Sequence, residues 1–227
     1  MRLRLEGAEN LPRDASGRVS GGWIGAGLPH RTWIDPFVVI DLLPARPRLV
    51  FFGDGPAIFR TPARRFVARR LGGIVPIWAG RRRDTIDEYL GAARSALEAG
   101  AVFLLFPETG PPVPVERARP LGNGVAYVAL RTGAPIVPLV LGGTHELFRG
   151  RRIVLRVLPA LDPRALAGLG QGEAFPEPWS AAERRAARQL VAELSALCAA
   201  AVEAAHRSVE PQPGRRKRWL MLTHLWS

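Results

Sequence analysis

Residues 101–106, Ala-Val-Phe-Leu-Leu-Phe, are apolar at every position. A run of strand length with no polar alternation fits a strand covered on both faces, as in sheets whose parallel neighbours are joined by helices. Upstream, Ile86, Tyr89, Leu90, Ala93 and Leu97 recur at helical spacing and make one apolar stripe. Thr85 and Glu88 read as a capping box for that helix, with Gly100 as its stop. Residues 74–78 read as the strand before it. Strand, helix and strand at this spacing form a βαβ unit and imply a parallel sheet.

The same reading extends along the chain. Residues 2–5 and 49–52 are strand candidates. Residues 136–141 are a buried strand broken by Pro138, and 153–158 a last, edge strand. Helices are expected over 36–43, 61–71 and 122–131, and from a second capping box, Ser180 with Glu183, to His206. Residues 159–179 read as irregular. The fold class is therefore α/β: a mostly parallel central sheet flanked by helices, in a single domain over 1–210, followed by a basic and aromatic tail over 211–227. A chain of 227 residues suits one such domain.

Charge points to the kind of partner. The formal net charge is +12, and all but one of the 32 basic residues (Lys217) are arginine. Such a chain favours an anionic surface, a phosphorylated substrate or a nucleic acid. Arginine suits phosphate because its fork donates two hydrogen bonds at once. No nucleic-acid signature is visible, so nucleic acid is not expected. The single cysteine, Cys198, excludes an intrachain disulfide and a cysteine-rich metal site, and the four histidines are scattered, so no metal is expected. No apolar run reaches the ~18 residues of a membrane span, and residues 1–10 lack the apolar core of a signal peptide. These readings place the chain in the cytoplasm without a transmembrane helix. Two stretches pair arginines with apolar side chains. One is 61–71, with Arg64, Arg65, Arg69 and Arg70 beside Phe66, Val67 and Leu71. The other is the tail, where Arg215 to Arg218 precede Trp219, Leu220, Leu222, Leu225 and Trp226. Both patterns suit peripheral contact with an anionic membrane. For 61–71 an ordinary solvated helix face reads equally from the same residues; for the tail the expectation is a peripheral membrane anchor, with packing back on the domain as the alternative.

The chemistry centres on His30 and Asp35, five positions apart. A neutral imidazole takes a proton from a hydroxyl near neutral pH. A carboxylate on its other ring nitrogen fixes the tautomer and steadies the imidazolium. On one helix the two side chains would sit about 140° apart. They meet only if His30 lies in a loop and Asp35 near a helix start, and Pro36 favours that break. Asp35 is also a natural N-cap.

Four blocks then fall in a familiar order. They are His30 with Asp35; a basic stretch ending in Gly73 and Ile74 and followed by Arg81; Phe106-Pro107-Glu108-Thr109-Gly110-Pro111; and Val137-Pro138 followed by Gly142. In this the chain resembles the glycerolipid acyltransferase family, of the 1-acylglycerol-3-phosphate acyltransferase type, over roughly residues 20–150. The resemblance implies transfer of an acyl group from acyl-CoA or acyl carrier protein, as co-substrate without a cofactor, to a hydroxyl of a lipid acceptor. It makes His30 and Asp35 catalytic and places Arg81, Glu108, Thr109 and Gly110 at the substrate. Glu108 reads either as an acceptor-positioning group or as a tie for its own loop. The third block departs from the family's Phe-Pro-Glu-Gly-Thr-Arg: the glycine and threonine are exchanged, and Pro111 stands where the family has an arginine that helps hold the acceptor phosphate. Arg117, Arg119 and the cluster Arg81 to Arg83 are the available replacements. Alternatives are another alcohol or glycolipid as acceptor, or a non-catalytic basic module binding anionic membranes or nucleic acid.

Overall fold

The computed structural model describes residues 1–32, 34–54, 62, 66, 73–77, 83–170, 172–210 and 218–219. The strands are β1 (Arg2–Glu6), β2 (Ile24–Leu28), β3 (Leu49–Asp54), β4 (Ile74–Ile77), β5 (Val102–Leu105), β6 (Ile136–Gly142) and β7 (Arg152–Val157). They form one sheet in the order β1-β7-β6-β2-β5-β3-β4. Pairing is parallel from β6 through β2, β5 and β3 to β4. β7 runs antiparallel to β6, and β1 lies parallel to β7. The all-apolar run over 101–106 thus becomes a central strand, as expected. The residues of 153–158 do not form an edge: β1 covers that side.

Alternation along each strand divides the core. Ile24, Ala26, Leu28, Phe103, Leu105, Ile136 and Val140 face one way, towards helices α2 (Arg83–Glu98), α3 (Gly124–Thr132) and α5 (Ala181–Val209). Val102, Leu104, Val137, Leu139, Leu141, Ile153 and Leu155 face the other, towards Trp23 and α1 (Asp35–Leu42). Helices on both faces are what an all-apolar parallel strand requires.

Several expected boundaries shift. α2 starts at Arg83, so Thr85 lies inside the helix and is not its cap. Its stripe behaves as read, with Leu90, Ala93 and Leu97 buried. Pro138 does not break β6. Ile136 pairs with Leu161 and Leu139 with Val157, so three steps on one chain answer four on the other. Proline is tolerated at such a bulge, where no ladder N–H is needed from it. The segment 159–179 contains one short helix, α4 (Pro163–Leu166), capped by the Asp162 carboxylate accepting from the Arg164 N–H. The helix expected over 61–71 lies outside the described residues apart from Pro62 and Phe66, as does the tail apart from Arg218 and Trp219.

α5 illustrates how packing outweighs local signals. Ser180 Oγ accepts from the Glu183 N–H at 3.0 Å, a cap of about 1 kcal/mol. Leu190, Leu194 and Val202 are buried beneath it, each stabilising by about 1.5–3 kcal/mol. The other half of the capping box is redirected. The Glu183 carboxylate accepts from the Trp179 N–H and from Arg131 instead of the Ser180 N–H.

Cys198 sits on the same buried stripe, and burial pushes its thiol up to about 12. The unfolded chain has the ordinary thiol pKa of about 8.5. The folded value is the higher one, so this group's contribution to stability is complete below the unfolded pKa and is lost as pH rises towards the folded value. Ellman's reagent at pH 8 should therefore find no reactive thiol in the native protein and one equivalent after denaturation, matching the single cysteine. Rapid labelling of the native chain would contradict this burial.

Candidate active site

β2 ends at Leu28 and α1 begins at Asp35, leaving His30 in the loop between them. The Asp35 carboxylate is buried, and one of its oxygens, Oδ2, accepts three hydrogen bonds. His30 Nδ1 donates at 2.8 Å, and the Arg31 and Thr32 N–H groups donate at 2.7 Å each. An oxygen already accepting from two main-chain donors is an acceptor for the imidazole as well. This assigns the proton to Nδ1 and leaves the Nε2 lone pair free. Asp35 is not the N-cap: Ile34 holds that position and Asp35 is the first helical residue. The carboxylate turns back to the loop because three donors converge on it there. Its charge also sits favourably at the start of a helix.

The imidazole is held from two further directions. Its ring stacks on Phe106, with centroids 4.3 Å apart and planes at 23°. Phe106 crosses β2 at Gly27, where a Cβ would lie 2.5 Å from the phenyl ring; glycine is what allows this approach. The His30 N–H donates to Glu108 Oε2 at 2.9 Å, and the Arg119 N–H donates to Glu108 Oε1 at 2.8 Å. Glu108 thus ties the loop after β2 to the loop after β5. The loop after β6 joins them where the Thr32 hydroxyl donates to the Thr144 carbonyl at 3.3 Å. Arg151 anchors that third loop, donating to the Gly143 carbonyl and to Val209 at the end of α5. All three loops leave the carboxyl ends of neighbouring parallel strands, where open α/β sheets place their ligands.

Residues 2–142 match the Acyltransferase family. The chain belongs to that family. A segment of 75 residues is 37% identical to the 1-acyl-sn-glycerol-3-phosphate acyltransferase of Cocos nucifera, covering 33% of this chain and 23% of the coconut protein. The fold resembles that of the 1-acyl-sn-glycerophosphate (LPA) acyltransferase PlsC from Thermotoga maritima, with a TM-score of 0.58 at 21% identity, over 96% of this chain and 74% of that one.

Within this acyltransferase-family chain the expected site residues take distinct places. His30 and Asp35 are in contact, and Glu108 is bonded to the main chain of His30. Thr109 lies at the mouth of the following loop, where its N–H and hydroxyl both donate to the Pro120 carbonyl at 2.8 and 3.1 Å. Gly110 is exposed, with the positive φ of 80° that a turn there requires. Arg81 lies outside the described residues. Among the described residues no group of three or more His, Cys, Asp or Glu is placed to hold a metal, and no helix is long and apolar enough to cross a membrane.

Arg31, Thr32 and Phe106 were not singled out as site residues by sequence reasoning, whereas Arg119 was named there as one replacement for the missing arginine. Arg31 and Thr32 had no local signal, since a loop carboxylate commonly accepts from N–H groups that follow it and here the donors precede it. Phe106 had none, because its contact with His30 depends on the register of β2 against β5.

Proposed function

We propose that this chain transfers an acyl group from acyl-CoA or acyl carrier protein to a hydroxyl of a glycerolipid such as 1-acylglycerol-3-phosphate, with His30 as general base. The observation that carries this reading is the His30–Asp35 hydrogen bond of 2.8 Å, with the carboxylate buried and the imidazole side chain 42% exposed. Such a base is oriented from behind and open in front. The acceptor class is supported by the names of the coconut and Thermotoga enzymes that the chain resembles.

In this mechanism Nε2 of His30 takes the proton of the acceptor hydroxyl as its oxygen attacks the thioester carbonyl. Asp35 supports the imidazolium. The tetrahedral intermediate collapses with formation of the C–O bond and loss of the C–S bond, and the imidazolium returns the proton to the departing thiolate. Direct acyl transfer from donor to acceptor needs no enzyme nucleophile, in keeping with the lack of a Gly-x-Ser-x-Gly motif. Release of free thiol from acyl-CoA, followed against lysophosphatidate, glycerol 3-phosphate and uncharged alcohols, tests the reading. Acceptor-dependent release is expected. Turnover of uncharged alcohols alone would move the acceptor to the class that Pro111 favours, and no turnover with any of them would defeat the proposal.

A lipid acceptor must be reached at a membrane surface. The tail supplies adjacent basic residues, each contributing about 1 kcal/mol beside anionic lipid, together with tryptophans that favour the headgroup level. Arg149 donates its N–H to the Arg218 carbonyl at 2.9 Å and lies over the Trp219 ring, while Trp219 is 58% exposed. Arg149 belongs to the loop after β6, so this exposed indole lies at the end of the sheet that carries His30. A chain ending at Pro213 should lose binding to anionic vesicles while staying folded. Undiminished vesicle sedimentation would assign the contact to the basic stretch over 61–71.

A further inference from the structure

We infer that Arg31 and Arg119 together form the site for the acceptor's phosphate, taking the place of the arginine that Pro111 replaces. The inference rests on the proposed acyl transfer and adds which residues of this chain select an anionic acceptor.

Both arginines flank the base. Arg31 follows His30 in the chain, and its N–H is bound to Asp35. The Arg119 N–H is bound to Glu108, whose other oxygen holds the His30 N–H. Among the described residues, each guanidinium has a buried Nε–H without a hydrogen-bond partner, and no ion pair involves either. Unpaired buried donors are costly, and more so on charged groups. Nη2 of Arg31 donates to the Arg117 and Pro114 carbonyls, which fixes the segment leading to Arg119. The two cations are near enough to act on each other. Burial pulls the Arg31 pKa below its ordinary value, Arg119 adds to this, and Glu108, Asp35 and Glu116 oppose it.

Two neighbouring guanidinium groups call for one ligand with several acceptor oxygens and more than a single negative charge. A phosphate monoester has both. Glu108 acts on Arg31 through its charge but forms no ion pair with either guanidinium among the described residues, its oxygens being turned to the His30 and Arg119 N–H groups. Arg117 is exposed and contributes its carbonyl, so the structure distinguishes Arg119 from its neighbour. In a glycerol phosphate the hydroxyl and the phosphate ester sit on adjacent carbons. Phosphate held beside His30 therefore delivers the hydroxyl towards Nε2.

Two measurements on the full chain test the site. In the first, phenylglyoxal labels arginines and peptide mass mapping reads each one, with and without glycerol 3-phosphate. Selective protection of Arg31 and Arg119, absent with glycerol, is expected. Protection that maps to Arg81 to Arg83 instead, or none, would overturn the inference. In the second, kcat/KM is measured for lysophosphatidate and for monoacylglycerol. The ratio should fall about 10- to 100-fold in Arg119→Gln, the loss of a charge-assisted contact, and be partly restored in Arg119→Lys. An unchanged ratio would also overturn it. If the wild type acylates neither lipid but glycerol 3-phosphate still protects both arginines, the phosphate site stands and the proposed reaction falls. If it acylates only monoacylglycerol and no protection appears, the reaction stands and the phosphate site falls. Protection is read on the wild type, so a variant that fails to fold does not remove the test.

Discussion

Replacing His30 with Ala should lower thiol release by about 100- to 10,000-fold, the usual loss of a general base, and leave the fold in place. The asymmetry follows from what surrounds the ring. Its side chain is 42% exposed and packs mainly on the face of Phe106, so truncation removes little buried area. Asp35 keeps the Arg31 and Thr32 N–H donors at 2.7 Å, so no buried carboxylate is stranded. Asp35→Asn should impair turnover as strongly, for a different reason. An amide can present its NH2 to the imidazole and then hold the wrong tautomer. Turnover with saturating acyl-CoA, paired with a thermal melt, separates chemistry from folding. Turnover by His30→Ala within a few-fold of the wild type would end the general-base reading and leave a non-catalytic role for the basic surface.

Replacing Glu183 with Ala should destabilise the protein by about 3–5 kcal/mol, the effect of stranding one member of a buried ion pair. Arg131 on α3 donates to both oxygens of Glu183 on α5, at 2.7 and 3.2 Å. The carboxylate is fully buried and the Arg131 side chain 11% exposed. Without Glu183, the Trp179 N–H loses its acceptor, and Arg131, under the Trp179 ring at 4.4 Å from the centroid, keeps the long contact of 3.5 Å to the exposed Asp87. For a chain of this length the melting temperature should fall on the order of 10 °C. Replacing both partners with apolar residues should recover much of the loss, because the remaining charge goes too. A drop below about 1 kcal/mol in Glu183→Ala would mean that water reaches the pair after the change.

The sheet and the pair at its centre were legible from local patterns. The apolar run of β5, the stripe on α2 and the spacing of His30 and Asp35 are properties of short windows, and each led to the right element. What escaped depended on contacts between distant parts of the chain. β7 read as an edge because nothing in residues 153–158 announces that Arg2 to Glu6 will pair with it. Pro138 read as a break because the bulge that accommodates it is made by residues 158–160. Asp35 read as a cap because its own sequence context is that of one. The competition was decided by where His30, Arg31 and Thr32 point. Of the site, the two catalytic candidates and Glu108 were visible. The phenyl platform was hidden because it requires Gly27 and Phe106 to be neighbours across two strands.

The three hydrogen bonds on Asp35 Oδ2 all come from the six residues 30–35, whereas the segment over 109–120 reaches the base through Glu108 and Arg31. On the proposed reading, the residues that orient the base and those that face the acceptor lie in two short segments joined at these two contacts. The exchanged Thr109-Gly110 and Pro111 lie in the second segment, which contributes none of the three hydrogen bonds on Asp35 Oδ2. Grafting a relative's loop between Pro107 and Gly122, whose N–H donates to the Pro107 carbonyl at 2.8 Å, is a natural way to change which alcohol this scaffold acylates.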